Sequence, residues 1–473
     1  MEDRMTEAER MDALYDLSTA WRAAGEIFPY FEEKEMDWDA VYGEYLPRVF
    51  SVVTKKEFHL LMAEFLNRLG DGHTDYRFPR ELVQEAGYLP FHLVYLDGGW
   101  HIREIPAGKE EFLLAKVTAV NCVKMPDFLS ECFRYIYHIG DYANPGKLEE
   151  IMPFLLKKSE NVLTTSNGMF RFDLLREAAE LVGITECVQN SGEGEEAGEL
   201  KNDGNPNRRG GRSGDGTWMP KYRRISKGNT EIRIYEGNIL YARMDDFLHP
   251  GAAGEIAEAL SGMDSPDGVI LDIRENIGGM TAYAARVAEL FIAGEFSGCR
   301  KKTRQMKGID VSSASQYIGM CAEQIEKCVA DGLCTKEEVE RCLRTGKNMY
   351  YYEYQDFFGT QGKAAMYDGP VVLLTSRGTI SAAEDFTAMF KSNCRATLIG
   401  APTLGTTGTP FLKRLRLGGA FRICSVGYRL LDGTEFIGKG ILPDIYLEGD
   451  AKDTAYGRDV VLAKAFALCS NPK

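Results

Sequence analysis

The chain has 473 residues, of which 44% are hydrophobic and 27% charged, a composition common in globular proteins of two or three domains. Its 56 basic and 70 acidic residues give a net charge of −14, which argues against nucleic acid and anionic membranes as partners. No apolar run approaches the roughly 18 residues of a membrane span, and the charged start MEDRMTEAER lacks a secretion-signal pattern, so we expect a cytoplasmic protein.

The N-terminal part of the chain combines a helical segment with a β-rich module. Over residues 1–80, the stretches DALYDLSTAWRAAGEIF and KEFHLLMAEFLNRLG carry apolar residues at helical spacing, and the second ends at Gly70. Over residues 81–165 the pattern changes to short strands, two of them around the Asp-Gly-Gly turn of LPFHLVYLDGGWHIREI. The sequence therefore predicts a small β-rich module after the helices.

Residues 166–230 are interpreted as a connector. Within it, residues 190–216 read NSGEGEEAGELKNDGNPNRRGGRSGDG and contain almost nothing apolar. Such a composition buries too little surface to offset the entropy of ordering, so it predicts a disordered linker or surface loop. The NRRGGR run is interpreted as a solvated turn and not as a binding patch.

Residues 231–450 alternate predicted strands with predicted helices. The strands are NILYARMDDF, GVILDI, GPVVLLTS and ATLIG, and the helices are GAAGEIAEALSGM, MTAYAARVAELFI and SAAEDFTAMFKSN. Such alternation favours β-α-β crossovers and a mainly parallel sheet in an α/β core. An insertion at 300–366 is interpreted as a solvated face with one packed strand, in preference to a substrate groove. Residues 451–473 are predicted to form a C-terminal helix.

Ser381 stands where a predicted strand passes into a predicted helix, in TSRGTISAAEDF. In α/β sheets, ligands bind beyond the carboxyl ends of the strands. The N–H groups of the first helical turn, including that of Ala382, lack partners within the helix and favour negative charge. Ser381 is therefore a candidate nucleophile whose substrate oxyanion could face Ala382. The alternative is an ordinary N-cap serine, which requires no catalytic role.

A second strand-to-helix turn, LDIRENIGGM, carries Gly278 and Gly279. Glycine lets backbone N–H groups approach a ligand closely because it has no Cβ. If the two turns lie side by side, one of these N–H groups and that of Ala382 would form a two-donor oxyanion hole. Simple turn chemistry and a phosphate cradle are the alternatives, although neither G-x-G-x-x-G nor G-x-x-x-x-G-K is present.

A serine nucleophile needs a base, and His73 in LGDGHTDYRF is the candidate; a surface or capping histidine is the alternative. Glu435, predicted on a strand in LLDGTEFIGKGILPD, could orient this histidine or bind a substrate amine, or could simply be solvated. The other histidines are scattered, and the 11 cysteines do not follow C-x-x-C spacing. We therefore expect free thiols, no metal site and no cofactor.

Seven stretches, taken in chain order, resemble the C-terminal-processing (tail-specific) serine peptidases, and more closely the branch containing the tricorn protease core. They span most of the chain and are DWDAVYGEYLP, LGDGHT, NILYARMDDF, GVILDIRENIGG, VVLLTSRGTISAAEDF, TLIGAPTLGTTG and DGTEFIGKGILPDI. The resemblance implies a ClpP/crotonase-like core of parallel sheet and helices, and a PDZ-like module at residues 81–165.

One departure from the family pattern bears on mechanism. Tail-specific proteases place a general-base lysine in the loop that reads TLGTTG here, and Thr406 occupies its position. The tricorn-like branch uses His, Ser and Glu, and His73, Ser381 and Glu435 lie in matching motifs; Gly72 stands where tricorn has a serine.

The resemblance implies a serine peptidase, either an endopeptidase or a carboxy-terminal-processing enzyme, that acts on peptides or unfolded proteins and could form a homo-oligomer. Ser381 would attack, His73 would move the proton and Glu435 would support His73. Two alternatives stay open. One is an inactive relative that binds hydrophobic ligands or peptides, and the other is an adaptor that acts through the β-rich module.

Overall fold

The computed structural model describes residues 4–178, 180–183, 220–225, 228–305, 320–340, 350–455 and 457–470. The linker predicted at 190–216 and part of the insertion predicted at 300–366 lie outside these residues. Within the described residues, no helix is long and apolar enough to cross a membrane. The nine described cysteines are all free thiols.

The N-terminal segment is helical, as predicted. Thr6 and Thr54 each begin a helix with a capping box, which satisfies backbone N–H groups of the first turn. The helices pack around buried aromatic side chains such as Phe58 and Phe65. The segment ends in a short strand, and its elements are α1 (Glu7–Ile27), α2 (Trp38–Ser51), α3 (Lys55–Asn67) and β1 (Asp75–Arg77).

The β-rich module begins with the predicted hairpin, whose turn residues Asp97 and Gly98 both have positive φ, as a two-residue hairpin turn requires. Strand pairing continues past the predicted boundary at residue 165, because β10 pairs with β3. The elements are α4 (Arg80–Ala86), β2 (His92–Leu96), β3 (Gly99–Ile105), β4 (Val117–Val120), β5 (Val123–Lys124), α5 (Met125–Cys132), β6 (His138–Ile139), β7 (Tyr142–Ala143), α6 (Pro145–Leu155), β8 (Asn161–Thr165), β9 (Gly168–Phe172) and β10 (Val182–Gly183).

A seven-stranded sheet forms the core, with strand order β11-β12-β13-β14-β19-β20-β24. The strands from β13 onward are parallel, and β11 and β12 add antiparallel at one edge, so the prediction of a mainly parallel sheet is confirmed. The seven strands are β11 (Tyr222–Arg224), β12 (Glu231–Tyr235), β13 (Ile239–Arg243), β14 (Gly268–Asp272), β19 (Val371–Thr375), β20 (Thr397–Gly400) and β24 (Ile445–Tyr446).

Helices cover both faces of this sheet. Alternate residues of β14 point to opposite faces of the sheet. Leu271 packs against the helices of residues 252–261, 281–288 and 382–392, whereas Ile270 packs against the helix of residues 460–470. The predicted single C-terminal helix is divided in two. The helices after the β-rich module are α7 (Ala252–Ser261), α8 (Thr281–Ala288), α9 (Ala322–Ala330), α10 (Ala382–Ser392), α11 (Ala451–Ala455) and α12 (Val460–Ser470).

The remaining strands form small sheets beside the core, and one of them joins the helical segment to it. In that sheet, β1 pairs with β22 through the register Asp75↔Arg422. Through this pairing, the segment that contains His73 is held against a strand from the C-terminal part of the chain. The strands are β15 (Glu295–Phe296), β16 (Cys299–Gln305), β17 (Tyr350–Gln355), β18 (Phe358–Gly359), β21 (Pro410–Arg414), β22 (Ala420–Cys424) and β23 (Val426–Leu430).

Candidate active site

Ser381 lies on a sharp turn between β19 and α10. Its backbone has φ +60° and ψ −126°, a strained conformation for a residue other than glycine. Its side chain makes no capping hydrogen bond, although Ser381 occupies the N-cap position of α10. The ordinary N-cap interpretation therefore does not describe this serine. A strained strand-to-helix turn is the conformation in which α/β-hydrolases present a nucleophilic serine, although the G-x-S-x-G sequence is absent here.

The hydroxyl of Ser381 meets the imidazole of His73. Oγ of Ser381 lies 3.0 Å from Nε2 of His73, across 308 positions of sequence. Burial, with a smaller contribution from the charge of Arg422, lowers the pKa of His73 to about 3. The imidazole is therefore neutral at pH 7 and has the protonation state that a general base requires.

The backbone around His73 is held by Asp71, a residue that sequence analysis missed. Oδ1 of Asp71 accepts hydrogen bonds from the N–H of His73 at 3.0 Å and from the hydroxyl of Thr74 at 2.9 Å. The hydroxyl of Thr74 in turn accepts from the N–H of Cys424 in β22. An Asp two residues before a loop histidine is a common turn pattern, and this spacing was the one signal in the sequence.

Within the part of the chain that the structure describes, no hydrogen bond joins Glu435 to His73. Glu435 is exposed and lies in an irregular segment, so its predicted position on a strand was wrong. Among the described residues, the buried Nδ1 of His73 has no hydrogen-bond partner. The orienting contact predicted between these two side chains is therefore not made here.

The turn with Gly278 and Gly279 lies directly against Ser381, as the sequence predicted. A Cβ placed on Gly278, which has φ +90°, would lie 2.6 Å from Cβ of Ser381 and 3.0 Å from the N atom of Ala382. The N–H of Gly278 donates to Oδ1 of Asn276 at 2.9 Å, and Nδ2 of Asn276 itself donates to the backbone carbonyl of Met244 at 2.9 Å. Asn276 was not predicted; its signal was an Asn two residues before a Gly-Gly pair.

Two of the three predicted backbone donors remain available for a ligand. Among the described residues, no hydrogen bond uses the N–H of Gly279 or that of Ala382. Gly279 and Phe247 form an isolated parallel β-bridge. The residues on either side of Gly279 make the hydrogen bonds of this bridge, so the N–H of Gly279 takes no part in it. Ala382 directly follows the serine, and Gly279 directly follows Gly278, which lies against it; the amide of Gly278 is already occupied.

A charged cluster links the β-rich module to the strand after His73. Asp75 accepts two hydrogen bonds of 2.7 Å from the guanidinium of Arg422, and Nζ of Lys147 on α6 lies 3.2 Å away. Burial acts to raise the pKa of Asp75, but Arg422 and Lys147 outweigh it and hold that pKa below its usual range. The cluster therefore fixes the module next to the histidine loop.

Gly72 and Thr406 fill a single space behind His73. A Cβ at Gly72 would lie 2.4 Å from the methyl carbon of Thr406 and 3.0 Å from the ring of Tyr137. Gly72 and Thr406, the two positions at which the sequence departs from the family pattern that it resembles, are thus in contact. A small residue at 72 is required because Thr406 points towards it.

We expect Gly72→Ala to destabilise the protein by about 1–3 kcal/mol because the added carbon overlaps Thr406. Urea denaturation of Gly72→Ala, Thr406→Gly and the double variant measures the coupling between the two positions. Gly43→Ala, at an open helical position, is the control and should be neutral or stabilising. Equal effects of Gly72→Ala with and without Thr406 would contradict this account.

Comparison with known families agrees with this architecture. Residues 238–447 match the model of peptidase family S41, and residues 10–67 match the tricorn protease C1 domain. A carboxy-terminal-processing protease of Bartonella bacilliformis is 31% identical over 96 residues, or 20% of this chain. The matched region spans only 22% of that relative's length.

Solved structures show the same fold along nearly the whole chain. Mature CPAF has a TM-score of 0.67 at 15% identity, and a peptidase candidate from Parabacteroides merdae has a TM-score of 0.54 at 15% identity; both alignments cover 98% of either chain. This chain therefore shares the fold of these proteins. More particularly, the matches of residues 238–447 to peptidase family S41 and of residues 10–67 to the tricorn protease C1 domain confirm the resemblance predicted from the motifs.

Proposed function

We propose that this protein hydrolyses peptide bonds with Ser381 as nucleophile and His73 as general base. The observation that carries the proposal is the 3.0 Å contact between Oγ and Nε2, because it joins a strained serine to a neutral, buried imidazole. In the acylation step, Oγ bonds to the substrate carbonyl carbon while its proton passes to Nε2. The C–N bond then breaks as Nε2 returns the proton to the leaving amine, and water releases the acyl group by the same route.

We assign the oxyanion hole to the N–H groups of Gly279 and Ala382. Both donors are free of other hydrogen bonds among the described residues; Ala382 follows Ser381 in sequence, and Gly279 follows Gly278, the glycine that lies against Ser381. Negative charge that develops on the carbonyl oxygen would be stabilised by donors already in place. Gly278 contributes by its lack of a side chain, and its own N–H fixes the turn through Asn276.

We propose that the β-rich module acts as the PDZ-like module and presents peptide or unfolded protein to a ClpP/crotonase-like core. This proposal is supported by contacts of the module with the segment after His73 and with the turn before Ser381. Lys147 binds Asp75, two residues after His73, and the hydroxyl of Tyr142 donates to the carbonyl of Arg377, four residues before Ser381. A substrate held by the module would thus lie near both reacting side chains.

A fluorophosphonate probe tests the dyad, because it reacts only with an activated serine. We expect labelling of the unsubstituted protein, none in Ser381→Ala and a rate lowered by about a thousandfold in His73→Ala. His92→Ala is the control, since His92 lies in the β-rich module and pairs with Glu149. An unlabelled protein that binds apolar ligands tightly would contradict the proposal and favour an inactive relative.

The predicted role of Glu435 has its own test. Because its carboxylate is exposed and makes no described contact with His73, we expect Glu435→Gln to change the labelling rate by less than about threefold. A loss as large as that of His73→Ala would restore the Ser-His-Glu arrangement predicted from the family.

A further inference from the structure

Two adjacent acidic residues, Glu384 and Asp385, follow Ser381 and its two alanines in the first turn of α10. Both are buried, with 0% and 6% of their surface exposed. Carboxylates are rarely buried unless hydrogen bonds satisfy them. Their partners lie in the loop of residues 403–408 and at the first residue of α8, so these two side chains do more than begin a helix.

Glu384 binds the loop of residues 403–408. One carboxylate oxygen accepts from the hydroxyl of Thr403 and from the N–H of Gly405, each at 2.6 Å, and the other accepts from the N–H of Thr406, also at 2.6 Å. The side chain of Thr406 packs against Gly72, the residue before His73. Glu384 therefore fixes the surface against which the histidine loop rests.

Asp385 binds two further segments of the site. It accepts a 2.7 Å hydrogen bond from the hydroxyl of Thr407 and a 2.6 Å hydrogen bond from that of Thr281. Thr407 precedes Gly408, where a Cβ would lie 3.4 Å from Cβ of His73. Thr281 is the first residue of α8, which follows the turn that carries the free N–H of Gly279.

We propose that Glu384 and Asp385 are positioning residues that fix the histidine loop and the oxyanion turn to the helix of the nucleophile. This inference rests on the proposed peptidase function. Neither carboxylate touches the reacting atoms; each acts through the loop it holds. Displacement of a catalytic group by about 1 Å can lower a rate by about a hundredfold, so such fixation has a large effect on the reaction.

The ionisation of Glu384 gives this positioning role a measurable dependence on pH. Burial, opposed by its three hydrogen bonds and assisted by the charge of Asp385, raises the pKa of Glu384 to about 7. Besides burial, the charge of Glu384 also raises the pKa values of Tyr137 and Cys299. Burial raises the pKa of Asp385; Lys301 acts to lower this pKa, and Asp356 acts to raise it. Protonation below pH 7 places a hydrogen on an oxygen that accepts hydrogen bonds, so the loop is held less firmly, whereas His73 stays neutral.

The labelling rate as a function of pH tests the inference in the full-length protein. We expect the unsubstituted protein to react more slowly as the pH falls below about 7. Glu384→Gln presents an NH₂ group where the N–H of Thr406 needs an acceptor, so it should lower the rate about tenfold or more at pH 8 and lose the pH dependence near 7. Asp385→Asn should also lower the rate.

Thr387→Val is the matched control, because Thr387 is buried on the same helix and, within the described part of the chain, its hydroxyl binds only the carbonyl of Ala383. It should lower the melting temperature while the labelling rate stays within about twofold. If Glu384→Gln does not fold, Thr407→Val and Thr281→Val remove single hydroxyl partners of Asp385 and should each slow labelling.

Two results would overturn the inference. One is folded Glu384→Gln that is labelled at the unsubstituted rate with an unchanged pH profile. The other, for a Glu384→Gln that does not fold, is normal labelling of both Thr407→Val and Thr281→Val. Failure of the unsubstituted protein to react would instead overturn the proposed function, and this inference with it.

Discussion

Gly278→Ala is expected to abolish the reactivity of Ser381, with a loss of at least about a hundredfold in fluorophosphonate labelling. The added Cβ would lie 2.6 Å from Cβ of Ser381, 2.7 Å from the carbonyl oxygen of Ile380 and 3.0 Å from the N atom of Ala382. These neighbours are backbone or nearly so, and they cannot move without displacing the nucleophile. The φ of +90° adds strain, and we expect a loss of about 3 kcal/mol in the free energy of unfolding.

Labelling kinetics and urea denaturation of the same preparations separate the two effects. Gly254→Ala is the control, because Gly254 lies in α7 with nothing within 4 Å of an added Cβ. That substitution should stabilise the protein by up to about 1 kcal/mol and leave labelling unchanged. Normal labelling of Gly278→Ala would show that the close approach of the two turns is not needed for reaction.

Ser381→Gly is expected to be more stable than Ser381→Ala by about 1 kcal/mol, while neither variant is labelled. Both substitutions remove the hydroxyl, but only glycine accepts φ +60° and ψ −126° without steric cost. The strain at a residue other than glycine is about 1–3 kcal/mol, and the extra chain entropy of glycine offsets about 0.5–1 kcal/mol of the relief. Stability is measured by denaturation of the two variants side by side.

Ser392 provides the matched comparison at the other end of α10. It is the last residue of the helix and its φ is not positive, so Ser392→Gly should be less stable than Ser392→Ala by up to about 1 kcal/mol, the reverse of the order at Ser381. Because both Ser392 variants lose the same hydrogen bond to Gly298, the difference reports the backbone alone. The same order at both sites would argue that Ser381 is not strained.

Most of the secondary structure could be predicted because its signals are local. GVILDI is apolar on both faces, as a central parallel strand must be, and it forms β14. The hairpin β2–β3 follows from the turn at Asp97 and Gly98, whose positive φ angles match the residues present. The β-rich module was predicted to end near residue 165, yet β10 at Val182–Gly183 returns to pair with β3, a contact that periodicity does not encode.

The wrong strand prediction at Glu435 has an equally local origin. Glu435 was predicted on a strand that follows an Asp-Gly turn. The N–H of Leu430 does bind the carbonyl of Thr434, so the turn is present, but the chain then follows an irregular path with Glu435 exposed. A turn signal predicts a reversal of the chain and does not predict that the next residues find a strand to pair with.

The sequence by itself determined the resemblance to peptidase family S41, the alternation of strands and helices, and the identity of the residues with useful chemistry: Ser381, His73, Gly278, Gly279 and Ala382. Only the tertiary structure decided how they combine. It brought together Oγ and Nε2 from positions 73 and 381, occupied the N–H of Gly278 through Asn276, and buried Glu384 and Asp385 against the surrounding loops. The reason is physical: hydrogen-bond partners, burial and the resulting pKa values arise from contacts between distant segments, which no local pattern specifies.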